Sequence, residues 1–182
     1  MRNPASQSRL VGYYTGETPD DQGRYLAGIQ RWNDDQLEGV HDFIQWMFPL
    51  RERSGVNPEA PILDEFTVRQ FRSRLDLREK LKASLQRMLA FYGLELNTES
   101  NPRVVQASNF TNRSQNWLRP GNHNHLRITR IIKSLKALGV EAEAEAFFVC
   151  LSLIYEAEKK KTRPGITAQT FQFWKEAALG GS

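Results

Sequence analysis

Apolar side chains recur every three or four residues along most of this chain, and this spacing restricts its fold more than any other feature. Such a period places apolar residues on one face of a helix, whereas a strand requires alternation. No stretch shows sustained alternation, and glycine- and proline-rich turns separate the periodic segments. The sequence therefore predicts an all-α fold, a single domain built as an irregular bundle of about seven helices.

Capping and stop signals give the predicted helices their boundaries. One helix begins near Asp34 or Asp35 and ends before Pro49, because proline disfavours helical geometry in the residue before it. Another begins at Thr67, which has the capping-box spacing to Gln70.

Further signals place the later helices. Asn101-Pro102 predicts a helix start, because proline is tolerated in the first turn of a helix. Gly93 and Gly139 are predicted stops, and Thr167 is the predicted cap of the last helix.

Length and composition exclude several classes of protein. With 182 residues, of which 40% are hydrophobic, the chain is long enough to bury a real core. No apolar run is long enough to span a bilayer, and the N-terminus lacks the apolar centre of a signal peptide. The single cysteine, Cys150, rules out an internal disulfide and a multi-cysteine zinc site. We therefore expect a soluble, cytoplasmic protein without a cofactor.

Three segments are more specific than any periodicity. They are YYTGETPDDQGR at 13–24, LEGVHDFIQWMFPLRERSGVNPEAP at 37–61, and NFTNRSQNW at 109–117 followed by NHNHLRITRIIKSLKALG at 122–139. In this order they resemble the conserved N-terminal region of the opioid growth factor receptor family. The resemblance extends from Tyr13 to Phe148. It suggests a tail at 1–12, a helical domain at 13–179 and a second tail at 180–182.

The resemblance implies an all-helical fold unrelated to the seven-helix opioid receptors. In animals the family is described as a receptor for the pentapeptide enkephalin, and its members carry long tails after this region. This chain ends about one helix beyond the match, so we expect a stand-alone, microbial-type member. The first functional hypothesis is a helical binding module that holds a peptide or protein partner in a polar pocket. The oligomeric state is left open.

Two polar motif segments supply the residues of that hypothetical pocket. The segments are HDFIQW at 41–46 and NHNHLR at 122–127, and each is predicted to lie at the edge of an apolar helix stripe. We expect the two segments to meet, within about 6 Å or one bridging water, because partly buried polar groups need partners. A structural polar network without a ligand would make the same contact. The candidate ligand-binding residues are His41, Asp42, Gln45, Trp46, His123, His125 and Arg127.

These residues give little support for a metal site or a catalytic site. His123 and His125 form an HxH pair, which could hold zinc only with a third ligand from elsewhere. We predict no metal site. No nucleophile motif or phosphate-binding loop is present, so no catalytic residue is assigned. A histidine-dependent hydrolase that uses His41 and Asp42 is the least favoured alternative.

A second hypothesis is a nucleic-acid or polyanion-binding domain. The net charge is +4, and a helix rich in arginine and lysine is expected to make weak nucleic-acid contact. A solvated helix face explains the same charges equally well. The residues in question are Arg113, Arg119, Arg130, Lys133 and Lys136.

Overall fold

The computed structural model describes residues 8–98 and 101–180. Helices account for 58% of these residues, which confirms the all-α prediction. Within the described ranges there are ten α-helices, one short 3-10 helix and a single two-stranded hairpin. By its contacts the chain forms two compact units, residues 1–84 and residues 85–182.

The first unit contains five complete helices and the start of a sixth. They are α1 (Arg9–Thr15), α2 (Leu26–Ile29), α3 (Asp34–Gly39), α4 (Ile44–Met47), α5 (Glu65–Ser73) and α6 (Leu75–Tyr92), which continues into the second unit. Buried aromatic rings fill its core. Tyr14 packs edge-on against Phe71, with 4.8 Å between ring centroids, and its hydroxyl donates to the Met47 carbonyl oxygen.

The helix predicted from residue 34 to Pro49 is wrong as a single element. It is divided into α3 and α4, because Val40 after Gly39 adopts an extended backbone. Hydrogen bonds to distant residues replace the helical ones here. The Asn57 side chain donates to the Asp42 carbonyl oxygen over 3.1 Å, and Arg24 donates to the Asp42 carboxylate over 2.7 Å.

The start of α5 also differs from its prediction. Its cap is Asp64, whose carboxylate accepts from the Thr67 backbone N–H over 2.7 Å. Thr67 lies inside the helix, and its hydroxyl hydrogen-bonds to that of Ser8 over 2.6 Å. A threonine with a long-range partner thus resembled a cap, because sequence spacing cannot separate the two roles.

The second unit begins with a hairpin and ends with three packed helices. Its elements are β1 (Leu94–Asn97), β2 (Arg103–Gln106), α7 (Phe110–Arg113), the 3-10 helix Ser114–Asn116, α8 (Asn124–Ala137), α9 (Glu141–Glu158) and α10 (Ala168–Leu179). The helices α8, α9 and α10 pack on one another, and α9 also packs against β2. On α9 and α10 the Tyr155 and Phe171 rings are stacked, 4.1 Å apart.

The helix start predicted at Asn101-Pro102 is wrong, since β2 begins at Arg103. Two adjacent β-branched residues after a turn-rich segment favour a strand at this place. Other boundaries are confirmed. Gly93 and Gly139 follow α6 and α8 with φ of 78° and 84°, conformations that suit glycine. The Thr167 hydroxyl caps α10 by accepting from the Thr170 N–H over 3.1 Å.

Candidate functional site

Trp46 forms part of a cavity in the first unit. The α4 helix carries this tryptophan, whose side chain is 1% exposed. Tyr13 of α1 packs against it with 5.2 Å between ring centroids. The guanidinium of Arg9 lies over the same ring, 4.9 Å from the centroid, in cation–π geometry. The α1 helix therefore places both an aromatic ring and a cation against Trp46.

The cavity has a volume of about 200 Å³. The turn after α1 forms one side of it, because the N–H groups of Glu17 and Thr18 both donate to the Gly12 carbonyl oxygen. An added Cβ at Gly12 would come within 2.7 Å of the Thr18 hydroxyl, so a larger residue would displace that side chain. The lining residues are Ser8, Arg9, Gly12, Thr18, Pro19 and Trp46.

Several polar atoms around Trp46 are buried without hydrogen bonds. Within the described residues, the indole N–H of Trp46, the hydroxyl of Tyr13 and the amide oxygen of Gln45 have no partner. Burial raises the pKa of Tyr13, and the charge of Asp20 raises it further while Arg24 lowers it. Buried polar groups are normally paired, and the second unit also contains unpaired ones, among them Nδ1 of His125 and the hydroxyl of Ser134.

Asp42 takes part in an ion-pair network at the edge of the first unit. Arg24 bridges two carboxylates, with 2.7 Å from Nε to Asp20 and 2.7 Å from Nη1 to Asp42. The predicted helix-stripe position of His41 is wrong, since it is exposed and lies in the segment between α3 and α4. Of the four candidates at 41–46, Trp46 therefore lines the cavity, while Asp42 is held by Arg24.

The other predicted segment forms a buried network in the second unit. His125 is 5% exposed, and its Nε2 lies 2.8 Å from the Trp117 carbonyl oxygen. The backbone oxygen of His125 accepts from the Trp174 indole N–H over 3.1 Å. The Trp117 indole N–H in turn donates to the Tyr92 carbonyl oxygen over 3.0 Å. These bonds tie α8 to the segment before it, to α10 and to the end of α6.

The bond to Trp117 fixes the tautomer of His125. A carbonyl oxygen can only accept, so Nε2 carries a proton and donates to it. Burial lowers the pKa of His125, the Trp117 carbonyl partly offsets this shift, and the nearby His123 lowers the pKa further. Arg127 is also buried, and its Nη1 donates to the Asn124 side chain over 3.3 Å.

The two predicted halves of the polar pocket belong to different units, 41–46 to the first and 122–127 to the second. Their mutual contact stays a prediction. Among the proposed polyanion-binding residues, Lys136 and Arg113 donate to backbone carbonyl oxygens. Lys136 donates to the carbonyl oxygens of Ala178 and Gly180 over 2.6 and 2.8 Å, and Arg113 donates to that of Phe91 over 3.0 Å.

Cys150 is buried on α9, and burial raises the pKa of its thiol to about 11, which keeps it protonated at neutral pH. Among residues 8–98 and 101–180, no three histidine, cysteine or acidic side chains are grouped so that they could hold a metal ion. No helix in that part of the chain combines the length and apolar character needed to cross a membrane.

A second concave surface lies between β2 and α9. It is a groove of about 510 Å³ whose lining is mostly apolar. Four α9 residues on one face of the helix, at spacings of four, three and four, form one wall. They are Ala142, Ala146, Val149 and Leu153. Val149 is 53% exposed and Leu153 69% exposed, so this face is apolar without being covered by the described chain.

The other wall of the groove is the strand β2, together with the residues that lead into it. Ala107 N–H donates to the Gly93 carbonyl oxygen over 2.9 Å, which extends the register that pairs Leu94 with Gln106. Hydrogen-bonded and non-hydrogen-bonded pairs alternate in an antiparallel ladder. The backbone N–H and C=O groups of Val104 and Gln106 are therefore directed away from β1. Within the described residues the sheet has no third strand to pair with them.

Sequence reasoning missed Arg9 and the groove. Arg9 lay in the segment assigned to an N-terminal tail, although the apolar residues at 10, 11, 13 and 14 have helical spacing. The exposed apolar face of α9 went unnoticed because the helix has a second, buried apolar face with Phe147, Leu151 and Ile154. The helical period alone could not say which face would be covered.

The chain is similar in sequence to several animal proteins. Mouse opioid growth factor receptor is 46% identical over 115 residues, which cover 62% of this chain and 18% of the mouse protein. The human receptor is 38% identical over 151 residues, covering 80% of this chain and 21% of the human protein. Mouse opioid growth factor receptor-like protein 1 is 31% identical over 166 residues, covering 89% of this chain and 35% of that protein.

The chain thus spans about a fifth to a third of the length of these relatives. No solved structure matches it. The family model for the opioid growth factor receptor conserved region matches residues 9–179, which is nearly the whole chain. The match begins at the first residue of α1 and ends at the last residue of α10. The chain belongs to the opioid growth factor receptor family.

Proposed function

We propose that this chain is a peptide-binding module, and that the groove between β2 and α9 holds an extended segment of a partner protein. The observation that carries the proposal is the combination of an open strand edge and an exposed apolar helix face in one groove. The names of the animal relatives, which describe receptors for a growth factor, support a binding role rather than a catalytic one.

The two walls offer complementary contacts to an extended chain. The backbone groups of Val104 and Gln106 can pair with a peptide strand, which is the general mode of β-strand addition. Val149 and Leu153 offer apolar contact to alternate side chains of that strand. The volume of about 510 Å³ is within the range of ordinary ligand sites. Ala142 and Ala146 are small and allow a close approach of the peptide backbone.

Charged residues at the groove set the polarity of the partner. Arg103 and Glu145 both contribute to the lining, and both are exposed. A peptide with apolar residues in its centre and opposite charges at its two flanks would match this arrangement. We therefore expect a short, mixed-charge apolar motif rather than a uniformly acidic or basic one.

The test is selection of 12-residue peptides from a random display library, followed by titration of the selected peptides with the full chain. The variant Leu153→Lys places a charge in the groove at an exposed position and should weaken binding by at least about tenfold. The matched control is Leu126→Lys on α8, which is 70% exposed and does not line the groove. The family-derived enkephalin pentapeptide is titrated in parallel.

Strand addition makes a second, independent prediction. Methylation of every second backbone nitrogen of a selected peptide should abolish binding in one register and preserve it in the other, because only alternate N–H groups face the protein strand. Equal affinities for Leu153→Lys and Leu126→Lys, or insensitivity to methylation in both registers, would refute this use of the groove.

A further inference from the structure

We propose that the cavity beside Trp46 is a binding site for a small carboxylate, separate from the peptide groove. The proposal starts from the donors in its wall. Among the described residues that line it, Arg9 is the one charged side chain, and none is acidic. Trp46 also lines the cavity, and its buried indole N–H, which can only donate, has no partner among the described residues.

The unpaired N–H belongs to a residue that lines this cavity. Trp46 is only 1% exposed, and a buried donor without an acceptor lowers the stability of the fold. The neighbouring Tyr13 hydroxyl is unpaired as well. An acceptor from outside the chain would satisfy such a group. The hydroxyl of Thr18 adds a group that can donate to the same acceptor, and the Ser8 hydroxyl can do so when it accepts from Thr67.

Charge and size define the ligand class. The guanidinium of Arg9 has the planar fork that matches a carboxylate, and its single charge balances one negative charge. A phosphate monoester carries about −1.5 to −2 charges and would exceed it. At about 30 Å³ per water-sized group, the cavity of about 200 Å³ admits roughly six or seven heavy atoms. A free short-chain acid and the C-terminal residue of a peptide both satisfy these limits.

The experiment follows the indole N–H signals of uniformly ¹⁵N-labelled full-length protein, which has four tryptophans. Propionate is the probe, and propionamide is its neutral control of equal size. Propionate should move the Trp46 indole proton downfield in a saturable manner with roughly millimolar affinity, because a ligand of five heavy atoms binds weakly. The amide should produce less than a tenth of that shift.

Two variants locate the effect. Arg9→Gln removes the cation at an exposed position and should weaken propionate binding by about tenfold or more. Arg69→Gln makes the same charge change on the exposed face of α5 and should leave the affinity unchanged. Gly12→Ala drives a methyl group toward the Thr18 hydroxyl and should also abolish the shift, while the remaining signals report an intact fold.

Further probes separate the sources of the carboxylate. A tripeptide with a free C-terminus that binds more tightly than both propionate and its own amidated form would identify a peptide terminus. Weaker binding than propionate would identify a free acid. The carboxylate site is overturned if propionamide shifts the signal equally, if Arg9→Gln binds propionate as the native chain does, or if inorganic phosphate binds and propionate does not. None of these results depends on the β2–α9 groove.

Discussion

Three tryptophans are buried to the same degree, but their indole N–H groups differ. In the second unit, Trp117 and Trp174 donate to backbone carbonyl oxygens of Tyr92 and His125. In the first unit, Trp46 has no acceptor within the described residues and lines a cavity. The three tryptophans therefore agree in residue type and burial, and they differ in whether the indole N–H is hydrogen-bonded.

This difference assigns separate roles to the two predicted motif segments. In the 122–127 segment, the Nε2 of His125 is bonded to the Trp117 carbonyl oxygen and connects α8 to Trp117, whereas its buried Nδ1 has no partner within the described residues. The 41–46 segment keeps an unpaired donor beside a cation. A satisfied network stabilises a fold, whereas an unsatisfied one costs stability unless a ligand completes it.

The largest expected effect compares Trp117→Phe with Trp46→Phe. Both remove the same ring volume, but only Trp117→Phe also leaves the buried Tyr92 carbonyl oxygen without its donor. We expect Trp117→Phe to lower the free energy of unfolding by about 3 kcal/mol and Trp46→Phe by about 1 to 2 kcal/mol. Urea unfolding followed by circular dichroism measures both. An equal or greater cost for Trp46→Phe would show that its N–H is paired after all.

The next prediction concerns pH and His125. Its folded pKa lies below the unfolded value of about 6.5, so the unfolded state binds more protons in the window between these two values. Stability should therefore be complete above pH 6.5 and fall as the pH drops below it. His125→Gln retains a donor for the Trp117 carbonyl oxygen without titrating, so it should cost under about 1 kcal/mol at pH 8 and remove this slope.

The measurement is the free energy of unfolding at several pH values between 8 and 5. His41→Gln is the matched control, because it makes the same change at an exposed histidine. If the pH dependence of the free energy of unfolding survives in His125→Gln but disappears in His41→Gln, it arises from His41 in the first unit and not from His125.

The fold class followed from the sequence because the helical period and the stops at Gly93 and Gly139 are local properties. The errors have long-range causes. The break between α3 and α4 depends on Arg24 and Asn57, which bond Asp42 from 18 and 15 residues away. Neither partner is visible in the periodic pattern of the helix itself.

Only part of the candidate site could be predicted, because its residues are distant from one another in the sequence. Sequence analysis named Trp46 as a candidate ligand-binding residue, and the structure shows it both buried and lining a cavity. Its cation, Arg9, stands 37 positions earlier, outside every recognised motif. The pairing of Trp117 and Trp174 likewise depends on carbonyl oxygens 25 and 49 residues away. Whether an indole N–H is hydrogen-bonded depends on tertiary contacts, which local sequence spacing cannot predict.

A smaller effect is expected at Lys136, which is hydrogen-bonded within the second unit. Its ammonium group donates to two carbonyl oxygens at the end of α10. Lys136→Met should cost about 0.5 to 1 kcal/mol, because positive charge and hydrogen bonds stabilise a helix C-terminus. Lys133→Met, at an exposed position of the same helix, should change the free energy of unfolding by less than about 0.5 kcal/mol. Equal costs would remove the capping role of Lys136.

The smallest effect is expected at Arg9, and it is the sharpest test of the contrast between the units. Arg9 is exposed, and its one polar contact within the described residues that reaches another segment is a bond of 3.5 Å to the Glu59 carbonyl oxygen. Its cation–π contact with Trp46 contributes about 0.5 to 1 kcal/mol at an exposed site, and a glutamine stem retains part of that packing. Arg9→Gln should therefore cost no more than about 0.5 kcal/mol, close to the value for Arg69→Gln.

A residue that adds so little to the fold yet lies against a buried unpaired donor is explained better by a ligand than by packing. If Arg9→Gln instead lowers the free energy of unfolding by more than about 1.5 kcal/mol, Arg9 is a structural partner of Trp46, comparable to the bond that His125 makes with Trp117. The two clusters would then be alike in kind, and loss of propionate binding in this variant would reflect a damaged cavity. A near-zero cost combined with loss of binding separates stability from recognition at the same residue, an outcome that a purely structural cluster cannot produce.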